Sequence, residues 1–363
     1  MQQINVTSPS MAPLEKFVEQ LRSIWESGIL THNGPHVQRL ERDLSDNLGI
    51  SDYIAVTNGT VALQMAIKAL KLQGEIITPA FTWIATVSAI KGEGCTPVFC
   101  DIDENTLNIS TKKIEDLITE KTVAIMPVHV FGNPCNIVEL QKISVKYKIP
   151  IIYDAAHALG SQYLGKSILE YGDVSAVSTH ATKIFNTGEG GGLYSTSEKL
   201  MDSLRKIRFF GYDDQKHIVQ DGFNGKMSEI HAALGIVNLE NFSDVLADRK
   251  LKWNYYRQAL SKSGVFKFQD IDVNNTNYSY FPIILKDEAT TISLLNHLAK
   301  KKIVARRYFY PSLNTVATLG KHNVCEVSER ISKTIICLPL YFGLMMDEIR
   351  IIVSEIEDWL KYE

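Results

Sequence analysis

The chain has 363 residues, 45% of them hydrophobic and 22% charged, with a net charge of −3, the balance of a soluble globular protein large enough for two units. That charge leaves no basic footprint for nucleic acid. No run of about 18 apolar residues offers a membrane span, and the start, Met-Gln-Gln-Ile-Asn-Val, lacks the basic-then-apolar order of a secretory leader. The five cysteines (Cys95, Cys100, Cys135, Cys325, Cys337) are scattered without metal-ligand spacing and read as buried reduced thiols in a cytoplasmic protein.

In chain order, Leu14, Phe17, Val18, Leu21, Ile24 and Trp25 recur at helical spacing and predict a helix over 13–28, closed by Gly28. A polar turn, Thr31-His-Asn-Gly-Pro35, precedes a second helix from Val37 to Leu48. Tyr53–Val56 reads as a strand, and Asn58-Gly-Thr60 opens a helix from Val61 to Leu72. A Gly-Thr turn at a helix N-terminus is either an anion site or an ordinary cap. Glu75–Pro79 and Thr96–Asp101 read as strands separated by a helix that opens after Trp83, with a further helix over 112–119. Trp83, just past a strand end, suits either stacking on a planar ligand or the core. The apolar run Val123–Val130 predicts a strand covered on both faces, followed by a helix over 136–147 and strands at Ile151–Tyr153 and Val174–Val177. Alternating strands and helices indicate an α/β domain with a mostly parallel sheet. The glycines at 190–192 with Leu193–Ser195 read as a strand approached closely by another group, followed by a helix over 200–209 and another helix opened by Ser228. From about residue 247 the pattern changes: a long helix to about Ser263, a strand within Tyr278–Leu285, a helix over 291–301, a strand at Ile303–Ala305 and a last helix over 346–359. The expected division is a large α/β domain over 1–246 and a smaller α+β domain over 247–363.

The chemistry centres on Val177–Ser195. Lys183 sits there between a hydroxyl-rich turn and a glycine run, and Asp154 closes the apolar strand upstream. Either residue alone reads more readily as a surface group. Together they suggest a pyridoxal phosphate site, with Lys183 holding the aldehyde as a Schiff base and Asp154 pairing with the pyridinium nitrogen.

Nearly the whole chain resembles the DegT/DnrJ/EryC/StrS sugar aminotransferases, fold-type I pyridoxal phosphate enzymes. The resemblance runs through Gly28-Ile-Leu-Thr-His-Asn-Gly-Pro35, Asn58-Gly-Thr60, Thr78-Pro-Ala-Phe-Thr-Trp83, Phe99-Cys-Asp-Ile-Asp103 and Gly132-Asn-Pro134. It continues through Asp154-Ala-Ala-His157, Ser178-Thr-His-Ala-Thr-Lys183, Gly188-Glu-Gly-Gly191, Asn224 with Lys226-Met-Ser-Glu229, and Leu338-Pro-Leu340. It implies that Lys183 and Asp154 are catalytic and that Gly59, Thr60 and Ser178 bind the phosphate. It further implies that Trp83 stacks on the ring and that His157 lies on the other side. By the same likeness Asn224 reaches the phosphate of the neighbouring subunit, so the expected assembly is a homodimer with shared active sites. Two departures, Gly225-Lys226 where many members read Tyr-Arg and Thr179 where Phe is common, bear on the substrate.

The activity the resemblance implies is transfer of an amino group from L-glutamate to a nucleotide-linked keto-sugar, in O-antigen or other surface glycan synthesis. Its text is most similar to the branch that aminates dTDP-4-keto-6-deoxyglucose at C4. C3 amination of a dTDP-3-keto-6-deoxyhexose and a UDP-keto-sugar are the alternatives. Lys226, Arg306 and Arg307 are candidates for the diphosphate because Arg and Lys pair well with phosphate oxygens; Thr31 and Asn33 are candidates for the sugar pocket by family position. A related sugar dehydratase would carry His in place of Lys183, and a non-catalytic sugar-nucleotide-binding regulator would not need both Lys183 and Asp154.

Overall fold

A computed structural model of the chain describes residues 3–319 and 323–362. Helix α1 (Leu14–Ser27) ends as predicted at Gly28, which adopts φ 66°. Its apolar residues do not enter the core, however: only Ile24 is buried, and Leu14, Val18 and Trp25 face outward. Helix α2 (Pro35–Leu48) buries Val37, Leu40 and Leu44. Its first N–H groups are capped from far along the chain, His36 and Val37 donating to the buried carboxylate of Glu229 at 2.8 and 3.0 Å. Gly34 is required at this contact, since a Cβ there would lie 2.6 Å from the Glu229 carboxyl carbon.

The strands and helices then alternate as β1 (Ile54–Val56), α3 (Gly59–Ala69), β2 (Glu75–Pro79), α4 (Ile84–Gly92), β3 (Thr96–Cys100), α5 (Thr111–Ile114), β4 (Thr122–Ile125), α6 (Ile137–Tyr147) and β5 (Ile152–Asp154). A short hairpin of β6 (Gln162–Tyr163) and β7 (Lys166–Ser167) precedes β8 (Val174–Ser178), β9 (Gly191–Tyr194), α7 (Glu198–Arg208) and α8 (Glu229–Leu239). Strands β3-β2-β4 pair in parallel, as do β5 and β8. Parallel bridges at Ile125–Ile151 and Val128–Asp154 join the two groups. Beyond β8 the direction changes: β9 runs antiparallel to both β8 and β1. The sheet is therefore mostly parallel, with an antiparallel flank, and its buried residues join those of the flanking helices in one core.

The remaining chain forms α9 (Phe242–Leu260), β10 (Phe281–Ile284), α10 (Glu288–Lys300), α11 (Glu326–Thr334), β11 (Ile335–Leu338) and α12 (Met346–Leu360). Strands β10 and β11 pair antiparallel. Trp253, Tyr256, Phe281, Ile336 and Ile352 belong to a second core, which also receives Ile4 from the start of the chain.

Three expectations are corrected. The strand predicted over 123–130 stops at Ile125; Pro127 has no N–H for a ladder, and the chain turns at Phe131, φ 58°. The predicted strand at Ile303–Ala305 is reduced to a bridge from Ile303 to Ile4. The helix predicted over 112–119 is one turn, α5, followed by a 3-10 turn over Glu115–Leu117. All five cysteines are free and buried, as expected.

Candidate active site

A cavity of about 570 Å³ opens where β5 and β8 end and α3 and α4 begin, the region in which open α/β sheets bind ligands. Asn58 caps α3, its Oδ1 accepting the Val61 N–H at 2.9 Å. Gly59 and Thr60, the first residues of α3, line the cavity together with Ser178 at the end of β8. The first amides of a helix have no partner within it and attract anions. The turn is tight: a Cβ on Gly59 would lie 3.0 Å from that of Ser178, and one on Gly191 would lie 2.7 Å from the Gly59 nitrogen.

Asp154 is the last residue of β5 and is 4% exposed. Its Oδ2 accepts the Thr86 hydroxyl at 2.7 Å, and its Oδ1 accepts the Ala156 N–H at 3.1 Å. Burial raises its pKa, against the hydrogen bonds from Thr86 and Ala156 and the charge of Lys183. Lys183 is half-buried in a loop that folds back on itself, with Ala181 donating to Gly188 and Lys183 to His180 through the backbone. Burial lowers its ammonium from 10.5 to about 8, and Asp154 opposes the shift. Thr179, where Phe is common in the resembling proteins, hydrogen-bonds Thr187 at 2.7 Å under Gly190; a Cβ on that glycine would strike both hydroxyls.

His157 faces the same cavity from a stack of rings, with Phe131 at 6.1 Å and Phe309 at 5.8 Å, both nearly parallel to it. Burial holds its pKa well below the usual value, and its Nδ1 has no hydrogen-bond partner among the described residues. Trp83, the N-cap residue of α4, is 49% exposed at the mouth. Arg306 lies beside it, with its guanidinium 5.9 Å from the Trp83 ring and 4.7 Å from the Tyr308 ring.

The structure thus gathers Gly59, Thr60, Trp83, Asp154, His157, Ser178, Lys183 and Arg306 around one cavity. The other candidates stand elsewhere. Asn33 and Lys226 line a second cavity, of about 800 Å³. There the Asn33 Oδ1 accepts from Arg208 at 3.1 Å, and the Lys226 Nζ donates to Asn224 and lies 4.4 Å from the centre of the Phe210 ring. Asn224 is exposed, and neither it nor Thr31 lines either cavity. Arg307 is engaged by Glu288 at 2.7 Å and by the Tyr310 ring at 3.5 Å. Thr86, Tyr280, Tyr308 and Phe309 also line the first cavity without having been singled out in the sequence. The signal for Thr86 is its spacing of four from Thr82 across a helix start, which puts both hydroxyls on one side.

These residues fit pyridoxal phosphate. A cavity of about 570 Å³ accommodates a small cofactor. It holds an amine lowered toward neutrality, a buried carboxylate, a glycine turn too tight for a side chain, and a ring nitrogen without a partner.

The model of the DegT/DnrJ/EryC1/StrS aminotransferase family matches residues 13–357. The chain is 40% identical over 361 residues to the dTDP-4-amino-4,6-dideoxy-D-glucose transaminase of Shigella dysenteriae, covering 98% of each chain. It is 36% identical over 350 residues to the Escherichia coli protein of the same name, covering 94% of each. Among solved structures, DesI, determined in the presence of its TDP-sugar product, superposes with a TM-score of 0.93 at 30% identity, covering 98% of this chain and 92% of that one.

Proposed function

Because this chain belongs to the DegT/DnrJ/EryC1/StrS aminotransferase family, we propose that it transfers an amino group from L-glutamate to C4 of dTDP-4-keto-6-deoxy-D-glucose, giving dTDP-4-amino-4,6-dideoxy-D-glucose. Support for the substrate comes from the two dTDP-4-amino-4,6-dideoxy-D-glucose transaminases at 40% and 36% identity. The observation that carries the chemistry is Lys183, an amine held near pH 8 in one cavity with Asp154. C3 amination of a dTDP-3-keto-6-deoxyhexose and a UDP-keto-sugar are the alternatives to test.

Pyridoxal phosphate, the cofactor of the family, supplies when bound an aldehyde and an electron sink for the bond broken at the donor carbon. Lys183 would hold that aldehyde and would give and take the proton at the reacting carbon. An amine titrating near 8 serves both purposes, because a sizeable fraction is neutral near physiological pH. Asp154 keeps the ring nitrogen protonated. Gly59, Thr60 and Ser178 hold the phosphate, while Trp83 and His157 bound the ring. Arg306, at the mouth, takes the substrate diphosphate in preference to Arg307, which Glu288 occupies.

Asn33, Thr31, Asn224 and Lys226 belong in this reading to the partner's site in a homodimer. The row of exposed apolar residues Leu14, Val18, Trp25, Ile29 and Leu30 supports such an assembly. The division at 246/247 into a large and a small domain, a cytoplasmic location and a role in surface glycan synthesis complete the proposal.

The test is a product assay with pyridoxal phosphate, L-glutamate and dTDP-4-keto-6-deoxyglucose, the aminated sugar being identified by mass and NMR. An amine at C4 supports the reading. Absence of product, with aminated product from the 3-keto isomer or a UDP-sugar, replaces it.

A further inference from the structure

Asp154 is not held by backbone alone. Thr86 is the third residue of α4 and is wholly buried, as is Thr82 one turn earlier. The hydroxyl oxygens of Thr82 and Thr86 lie 2.8 Å apart, and that of Thr86 lies 2.7 Å from the Asp154 Oδ2. A hydroxyl has one proton to give, and an ionised carboxylate only accepts. With Asp154 ionised, the direction of the whole row is therefore set: Thr82 donates to Thr86, and Thr86 donates to Asp154. Each hydroxyl polarises the next, which strengthens the last bond. The partly positive first turn of α4 favours the same charge.

We infer that Thr86, backed by Thr82, is a positioning residue that orients the Asp154 carboxylate and keeps it ionised, so that it can grip a protonated ring nitrogen. The inference rests on the reading of Asp154 as the partner of that nitrogen. Thr86 and Ala156 N–H occupy one lone pair on each carboxylate oxygen, leaving the others for the cavity that Asp154 lines. Among the described residues, Lys183 and Cys135 reach Asp154 by charge, and His157 shares its cavity with a pKa pushed well down by burial. His129, from the preceding loop, meets it only through the backbone, its N–H donating to the Asp154 carbonyl at 3.1 Å. Lys183 is itself committed to the cofactor aldehyde, and the thiol of Cys135 is pushed up by burial and stays neutral. Beside the Ala156 N–H, the hydroxyl row is the side-chain hydrogen bonding that opposes the upward pull of burial on Asp154.

The test measures binding of pyridoxal phosphate to the apoprotein by its visible absorbance, across pH, in four single variants and the Thr86→Val/Asp154→Ala double variant. Thr86→Val keeps the shape and removes the donor. It should weaken cofactor binding by about tenfold or more, as expected for a hydrogen bond to a charged group. On acidification it should release the cofactor at a higher pH than wild type, because Asp154 protonates sooner. Thr86→Ser restores the donor and should restore both readouts; Thr82→Val should shift them in the same direction by less. If Thr86 acts through Asp154, Thr86→Val adds nothing to the loss caused by Asp154→Ala. Wild-type affinity and pH release in Thr86→Val, or full additivity with Asp154→Ala, would overturn the inference. Asp154→Ala binding as tightly as wild type would instead remove the reading of Asp154 on which it rests. Where Thr86→Val folds poorly, the Thr86→Ser and Thr82→Val pair decides the matter: a Thr82→Val protein indistinguishable from wild type rejects the row.

Discussion

Lys183 and Asp154 answer to different physical demands within the same cavity. Burial disfavours both charges, lowering the lysine and raising the aspartate, and each charge partly rescues the other. Lys183→Ala removes the amine while leaving the phosphate turn intact; it should cut turnover by about a thousandfold or more, measured with the same sugar assay. In the apoprotein, cofactor capture requires the neutral amine. Its rate should rise with pH and level off above about 8, where Lys183 has lost its proton; stopped-flow absorbance reads this directly, and a flat profile would separate capture from Lys183. Both residues were legible in the sequence because their identity is their chemistry. Thr86 and Phe309 were not. Thr86 reaches Asp154 across 68 positions, and Phe309 stacks on His157 from far along the chain, so their roles exist only after folding.

At the level of elements, periodicity located the helices well and their burial less well. The apolar spacing of α1 is real, yet most of that face lies open, because a periodic stripe marks a surface that can be covered without saying what covers it. Strand β9 shows a second limit: its residues suggested a strand, but its antiparallel run between β8 and β1 depends on the path of the chain after Lys183. The cap of α2 by Glu229 is a third, since residues 193 positions apart cannot be paired by local signals. Its energy can be measured. Glu229→Gln keeps the size but removes the charge from two backbone hydrogen bonds, and should cost about 2 kcal/mol, seen as a lowered urea midpoint. An unchanged midpoint would mean that the Gly34–Val37 turn needs no charge to hold it.

The whole molecule brings the proposed dimer into question most directly. Trp25, 71% exposed on α1, is the largest side chain on the apolar row. Trp25→Glu should shift the protein to a monomer in analytical ultracentrifugation, while a persisting dimer would place the interface on another face. If sites are shared, mixing Lys183→Ala with Asn224→Ala subunits should recover part of the activity that each lacks alone, since hybrids rebuild one intact site. No recovery after demonstrated subunit exchange would confine each site to a single chain. The sheet and its cavity were readable from sequence because they are built from successive local units; what covers the open face of α1 was not.

Ile4 exchanges backbone hydrogen bonds with Lys302 and Val304, and Val6 accepts from Leu340. Ile4 is also fully buried in the core around Trp253 and Phe281. A ribosome delivers Ile4 and Val6 roughly 300 positions before their partners, so they wait unpaired while that stretch is made. Closure of the core around Trp253 and Phe281 therefore waits for a segment made well before it, and a blocking partner held against residues 3–7 during translation should arrest that closure.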